Sequence, residues 1–263
     1  MMFSGRSFKE EDMKKEDIEK LYEKSELPVS PLNGKGRHIT KYWVYVGEFK
    51  KGEYEGKGTL YLFNGIEYEG EFKNGLRHGK GKELCPNGAR YLGNFFRGNR
   101  QGDGMFFFEN GDVYVGQFSE NVASGNGVLT YASGGRYVGE FRIGKPEGTG
   151  VIFYPDGTRY EGKVAKGKRH GQGKLSYAEG GYYEGNFAFG EEDGFGMRFY
   201  PDGAVYVGIM KKGKKNGNGI LNYPSGDVLT GRFKDDVPDG LCVIAEKNGN
   251  RKEVYFKDGK RQD

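Results

Sequence analysis

The sequence has little of what most folds use for a core or for chemistry. Its two cysteines, Cys85 and Cys242, lie far apart in no CxxC or Cys/His spacing. That excludes a disulfide framework and a structural zinc site, and fits a reducing compartment. Leu, Ile and Val are sparse, and eight prolines are too few for collagen-like winding despite 48 glycines. No stretch approaches the roughly 18 consecutive apolar residues of a membrane-spanning helix. The start Met1-Met2-Phe3-Ser4-Gly5 has neither an apolar signal core nor a myristoylation signal. Membrane contact is therefore expected to be peripheral at most, and the expected location is cytoplasmic. With 41 basic and 37 acidic residues, the net charge of +4 is too small to make the chain a general polyanion binder, and no nucleic-acid partner is expected.

What is abundant is glycine and aromatic residues. Nineteen Tyr and nineteen Phe carry far more buriable surface than a disordered chain does, so something must pack these rings. Tyr45, Tyr68, Tyr91, Tyr114, Tyr137, Tyr160, Tyr183 and Tyr206 stand 23 residues apart without one insertion. A ninth unit follows in register from Leu229, and a half-unit from Lys252 keeps Phe256 and Gly259. Asn33 to Val44 looks like the second half of a unit shortened by one residue, and is read as a cap.

The unit reads as a β-hairpin. Tyr68, Gly70 and Phe72 alternate with Glu69, Glu71 and Lys73, the two-residue period of a strand with one buried and one wet face. A turn around Gly75 to Gly79 leads to a second strand, well seen in Val151-Ile152-Phe153-Tyr154. Pro155-Asp156-Gly157 and Pro201-Asp202-Gly203 then supply turns, proline fixing φ and glycine permitting it to be positive. The glycine between Tyr and Phe shares their face and leaves a recess, which a ring from a neighbouring unit is expected to fill. On this reading Gly139→Val disrupts packing more than Gly157→Asn. One hairpin cannot offset its own ordering entropy, so stability has to come from stacked neighbours.

The fold class expected is therefore all-β: an elongated single array of antiparallel β-hairpins with a short N-terminal α-helix. Residues 1–32 are read as charged helix and linker, 33–44 as a half-repeat cap, 45–251 as nine repeats with a divergent ninth, and 252–263 as a half-repeat and tail. The helix, over residues 7–25, is suggested by a capping box of Ser7 and Glu10 ahead of a Lys/Glu-rich stretch with Met13, Ile18, Leu21 and Tyr22. It would cover the first hairpin edge, fray, or dock a partner.

Several motifs imitate chemistry. Gly139 to Lys145 and Gly208 to Lys214 match the first seven places of a phosphate-binding loop, but Pro146 and Lys215 stand where Ser or Thr is required, and a hairpin follows instead of a helix. His78 and His170 occupy equivalent places four periods apart, which speaks for a repeat role rather than a catalytic one. No catalytic, cofactor-binding or metal-ligating residue is assigned, and no cofactor is expected.

Tyr-x-Gly-x-Phe followed by Gly-x-Gly and an Asn/Asp/Ser-Gly turn, as in Tyr68 to Arg90, resembles the MORN (membrane occupation and recognition nexus) repeat. The resemblance covers residues 45 to 251. Departures are Asn121 and Asp236 for the turn glycine, Val164 and Met210 for the strand Phe, and Cys242 for the second glycine of the pair. Such arrays occur in radial-spoke and other cytoskeletal proteins, in junctophilins that bridge membranes, and beside SET or lipid-kinase domains that carry the catalysis. The resemblance implies a non-enzymatic, repeats-only scaffold of a cilium, basal body or cortical cytoskeleton, with cytoskeletal or axonemal protein partners and a homodimer as one expected assembly. The aromatic face expected to hold partners is Tyr114, Phe118, Tyr137, Phe141, Tyr160, Tyr183 and Phe187. The alternative is a peripheral tether that binds anionic phospholipid through the basic turns: Arg77, His78, Lys163, Lys166, Lys168, Arg169, His170, Lys214 and Lys215. A regulatory subunit of a separate enzyme is a third reading.

Overall fold

The computed structural model describes residues 27–262. Every regular element among them is a β-strand, and sequential neighbours pair antiparallel. The helix expected over residues 7–25 lies outside the described residues. The chain forms two compact units divided between Ala123 and Ser124.

In the first unit Asn33–Ile39 pairs with Trp43–Lys50 around Gly36 and Gly47, and full hairpins follow from there. Ahead of this strand, Pro28 and Ser30 hydrogen-bond the backbone of Arg37, so a short segment with two prolines lies along its outer edge. The second repeat shows the unit. Glu67–Lys73 and Leu76–Leu84 are joined by Asn74 and Gly75, both at positive φ, as a two-residue hairpin that matches strand twist requires. At the equivalent turns Asn121 (φ 73) and Asp236 (φ 77) replace glycine, and these residue types accept that region. The N–H of the second turn residue donates to the preceding repeat: Gly75 to Tyr54, Gly98 to Arg77, Gly190 to Arg169. Each turn is thereby tied to its neighbour. The second unit repeats this pattern, and ends with Arg251–Lys257 paired to Lys260–Gln262.

The two glycines of Gly-x-Gly have different tasks. Gly79 sits at φ 61 inside a bulge, where the ladder skips between Gly70 and Glu71, and a Cβ there would strike the Glu71 carboxylate. Gly81 faces Gly70 across the strands, and the Tyr68 ring lies over both: a Cβ on Gly81 would come within 2.4 Å of it. The recess thus exists, but the ring that fills it belongs to the same repeat and not to a neighbour, which corrects that expectation. The short reach from Tyr68 to its own glycine pair also lets its hydroxyl donate to the Glu71 carbonyl at 2.9 Å, a bond repeated from Tyr45 to Tyr206.

Neighbours contribute the phenylalanines. The Tyr68 ring meets Phe72 of its own repeat at 5.2 Å and Phe95 of the next at 4.8 Å, both edge to face, and Tyr91 repeats the pattern with Phe95 and Phe118. This ladder couples the repeats.

The ninth repeat solves the same problem differently. Leu229 stands for the tyrosine and Cys242 for the glycine, and the Cys242 thiol fills the space above Gly231. Its sulfur lies 4.0 Å from the Arg232 carbonyl, the acceptor a tyrosine hydroxyl takes elsewhere.

Candidate interaction surface

Burial sorts the expected contact residues. Tyr114, Phe118, Tyr137, Phe141, Tyr160, Tyr183 and Phe187 are all at most 5% exposed. They are the core, and a partner cannot touch their rings while the sheet is intact. The expectation that they form a recognition face is corrected on this ground.

The basic residues divide into two groups. Arg77, Arg169 and Lys215 share one second-strand position, which points to the aromatic side. The Arg77 guanidinium lies 5.6 Å from the centre of Tyr68 and 5.2 Å from Phe95, Arg169 5.5 Å from Phe187, and Lys215 5.9 Å from Tyr206. Arg77 also donates to the Gly98 carbonyl at 2.8 Å and Arg169 to that of Gly190. Burial pushes the Lys215 ammonium below its ordinary value, with Asp236 opposing. These three cover the core and are not headgroup ligands on the surface, a second correction. His78 is half-buried beside Phe96. Lys163, Lys166, Lys168, His170 and Lys214 are exposed, and Lys163 Nζ donates to Thr149 Oγ1 at 3.0 Å.

Two buried carboxylates escaped the sequence reading. Glu83 is 5% exposed and lies between Arg77 and Arg100, each in ion-pair contact, with Arg100 Nε at 3.1 Å. Glu192 is 4% exposed and accepts from the Tyr177 hydroxyl and from Arg198 Nη2 at 3.3 Å, while Arg198 also donates to Tyr177 at 2.6 Å and to the Gly213 carbonyl at 3.2 Å. Glu192 Oε2 has no hydrogen-bond partner among the described residues. Burial raises the Glu192 carboxyl above the usual range despite the hydroxyl and the guanidinium. Burial opposes the Arg198 charge, but Glu192 and Tyr177 outweigh it and hold the guanidinium protonated. The signal was available: Glu83 and Arg198 interrupt a column otherwise held by Leu60, Phe106, Leu129, Ile152, Leu175 and Leu221.

The position of Arg77 varies, and in the fifth repeat it is Pro146, itself buried. There the long covering side chain is missing, and a cavity of about 240 Å³ opens, lined by Tyr131, Tyr137, Pro146, Ile152, Tyr154 and Pro155 among others.

A succession of antiparallel hairpins, eight of them closed by one tyrosine over two glycines, defines a β-hairpin repeat protein. The model of the MORN repeat matches residues 45–66, 68–90, 91–113, 114–136, 137–159, 160–182, 183–205 and 206–228, and the chain belongs to this family. The ninth unit, where Leu229 and Cys242 replace the tyrosine and glycine, lies beyond the matched residues. A comparison with curated protein sequences finds no match. Among solved structures, the SAS-4 (dCPAP) TCP domain of Drosophila melanogaster, in complex with a proline-rich motif of Ana2, is 15% identical over 76% of this chain and 90% of its own, with a TM-score of 0.34. The TCP10 domain of Danio rerio CPAP is 13% identical over 86% of this chain and 98% of its own, with a TM-score of 0.33.

Proposed function

We propose that the chain is a non-enzymatic scaffold that holds segments of other proteins, in a cytoskeletal setting such as a cilium, basal body or cell cortex. One observation carries this reading: the tyrosine side chain that recurs in every matched repeat is buried, and the side chains on the opposite face of the sheet vary. The Tyr and its two glycines recur in all eight matched repeats and serve the sheet. The position three residues after each Tyr, whose carbonyl the hydroxyl engages, is by turns Glu48, Glu71, Asn94, Gln117, Glu140, Lys163, Asn186 and Ile209. A regular frame that presents non-repeating side chains suits recognition of extended partners. The cytoskeletal setting is supported by the company MORN arrays keep. Purification of the native chain with its cross-linked neighbours tests both parts: a return of cytoskeletal or axonemal proteins is expected, and no reproducible protein neighbour would overturn the scaffold reading.

A second reading, a peripheral tether to anionic membranes, is favoured by Lys163, Lys166, Lys168 and His170, all exposed in one repeat. It requires flotation with anionic but not neutral vesicles, and loss of flotation when the four become alanine.

A further inference from the structure

We infer that the cavity over Pro146 is a receptor for one arginine side chain of a partner protein, whose guanidinium takes in trans the place that Arg77, Arg100 and Arg169 fill in their own repeats. This deepens the scaffold reading and rests on it.

The other repeats supply the template. Arg77 lies 5.6 Å from the centre of Tyr68, the tyrosine of its own repeat, and Arg100 lies 5.2 Å from Tyr91. Arg100 is also 4.8 Å from Phe106 in the second strand of its repeat, and Arg169 is 5.7 Å from Tyr154, the last ring of the repeat before it. Arg77 and Arg169 each donate to the glycine carbonyl 21 residues on, at Gly98 and Gly190. The equivalents around Pro146 are Tyr137, Ile152, Tyr131 and Gly167, and all four line the cavity. Proline brings them neither a donor nor a charge. The cavity thus has the outline of the arginine that the fifth repeat lacks. At about 240 Å³ it falls below the roughly 300 to 1,000 Å³ of small-molecule sites and suits a single side chain. Ser133 and Pro155 on its lining are exposed, so it opens to solvent.

Ala123 and Pro238 hold the same place, so a short residue alone does not define the slot. The groups equivalent by sequence around Ala123 are divided between the two compact units, and Leu229 stands for the tyrosine in the repeat of Pro238. Of the three, Pro146 has the full set within one unit.

The chemistry of the lining selects the occupant. Tyrosine faces and a carbonyl oxygen are the negative ends of their dipoles, which complement a planar, weakly hydrated guanidinium that can stack and donate. A carboxylate is disfavoured on the same ground. No acid is needed: Arg169 is half-buried against Tyr154 and Phe187, donates to Gly190, and is in no ion pair among the described residues. Arg169 itself stands one repeat from Pro146, two strand spacings or about 9.6 Å. That is just over a Debye length at physiological salt, which weakens its repulsion of the guest.

The test titrates the full chain, labelled at isoleucine methyls, with acetyl-Gly-Arg-Gly-amide and follows the Ile152 methyl by NMR, assigned through Ile152→Val. Ile209 and Ile220, on the opposite face, serve as internal controls. Comparison peptides carry citrulline, the neutral isostere of arginine, or leucine or tyrosine. Pro146→Met fills the slot without charge, and Pro146→Arg fills it with the residue of other repeats. Pro146→Ala leaves it open and controls for loss of the proline, at a position where Ala123 shows that alanine is accepted. The expected result is a saturable Ile152 shift with the arginine peptide, kept in Pro146→Ala, with binding about tenfold weaker or less for the comparison peptides and for the two filled variants. Thermal melts confirm that each variant is folded, and if Pro146→Met is not, Pro146→Arg decides. The inference is overturned if Ile152 does not move, if citrulline, leucine or tyrosine serves as well as arginine, if the filled variants bind like wild type, or if Pro146→Ala loses binding with them. In cells, Pro146→Met is expected to lose cross-linked protein neighbours that Pro146→Ala keeps. Equal capture by both refutes the slot and leaves the scaffold reading standing. If the wild-type chain captures none, the scaffold reading fails on its own, whatever the Ile152 methyl shows.

Discussion

Arg77 and Glu83 form an inner-face ion pair in the second repeat, and Glu192 and Arg198 form the same pair with the charges exchanged in the seventh, five whole repeats on. In the fifth repeat the two positions are Pro146 and Ile152 and carry no charge. The fold tolerates all three solutions, because the tyrosine over its glycines and the edge-to-face ladder hold the strands whichever pair covers them. A buried ion pair gains little over an apolar pair, but a single remaining charge is costly. Arg198→Ile alone should therefore cost about 3 to 5 kcal/mol, whereas Glu192→Pro with Arg198→Ile, which recreates the fifth repeat, should fall near wild type or above it. Urea unfolding of the two variants decides this, and equal losses would show that the pair itself holds the seventh repeat.

Glu192 also gives stability a pH dependence of unusual sign. Its carboxyl is raised by burial, so the folded chain binds this proton more tightly than the unfolded chain does. The stabilisation is then full below the ordinary glutamate range and is lost as pH rises through the raised value. Asp227 and Glu246 are lowered by hydrogen bonds, Asp227 chiefly by the Lys247 N–H and Glu246 chiefly by the Lys252 ammonium, and contribute the opposite slope. The difference between wild type and Glu192→Gln isolates the group. From the usual carboxylate range upward, wild type should lose stability relative to the glutamine variant; a flat difference would mean that Glu192 is not buried as described.

The glycine facing the tyrosine ring should be the least replaceable residue of the repeat. A Cβ at Gly139 would lie 2.5 Å from the Tyr137 hydroxyl and 2.6 Å from the Gly150 backbone, and backbone cannot move aside locally. At Gly157, a turn residue at φ 91, the nearest atom is the Ala178 Cβ at 3.6 Å. Gly139→Val should cost at least the 1 to 3 kcal/mol usual for overpacking, and Gly157→Asn less than about 1 kcal/mol. Thermal melts that fall equally would remove the ring as the reason for the glycine.

The same contrast shows what could be read before the fold was known. The period, the hairpin and the buried side of Tyr68 and Phe72 were legible because alternation and turn residues act over a few residues. Which ring fills the recess was not, since a strand pattern does not say whether a tyrosine leans back over its own glycine or across to the next repeat. Arg77 and Lys215 misled for a related reason: a basic residue after a turn reads as solvated, whereas the two-residue turn pairs Arg77 with Phe72 and Lys215 with Met210 and so sets that position on the aromatic side. Pro146 was noted merely as the residue that spoils a phosphate loop. Its effect is on what it fails to cover.

One turn carries strain that can be relieved. Ile143 sits at φ 49 and is 77% exposed, while its equivalent in the second repeat is Asn74 at the same φ. A β-branched side chain in this region crowds its own backbone, at a cost of about 1 to 2 kcal/mol, and its exposure means that no packing offsets the cost. Asparagine accepts the conformation and keeps the hairpin. Ile143→Asn should therefore stabilise the chain by about 1 kcal/mol. Phe189, at φ 54 and 85% exposed, lacks the β-branch, so Phe189→Asn should gain less. The ranking separates backbone strain from the removal of exposed apolar surface. If Phe189→Asn proved the more stabilising in paired denaturation curves, exposed surface would be the cause and the strained turn would not.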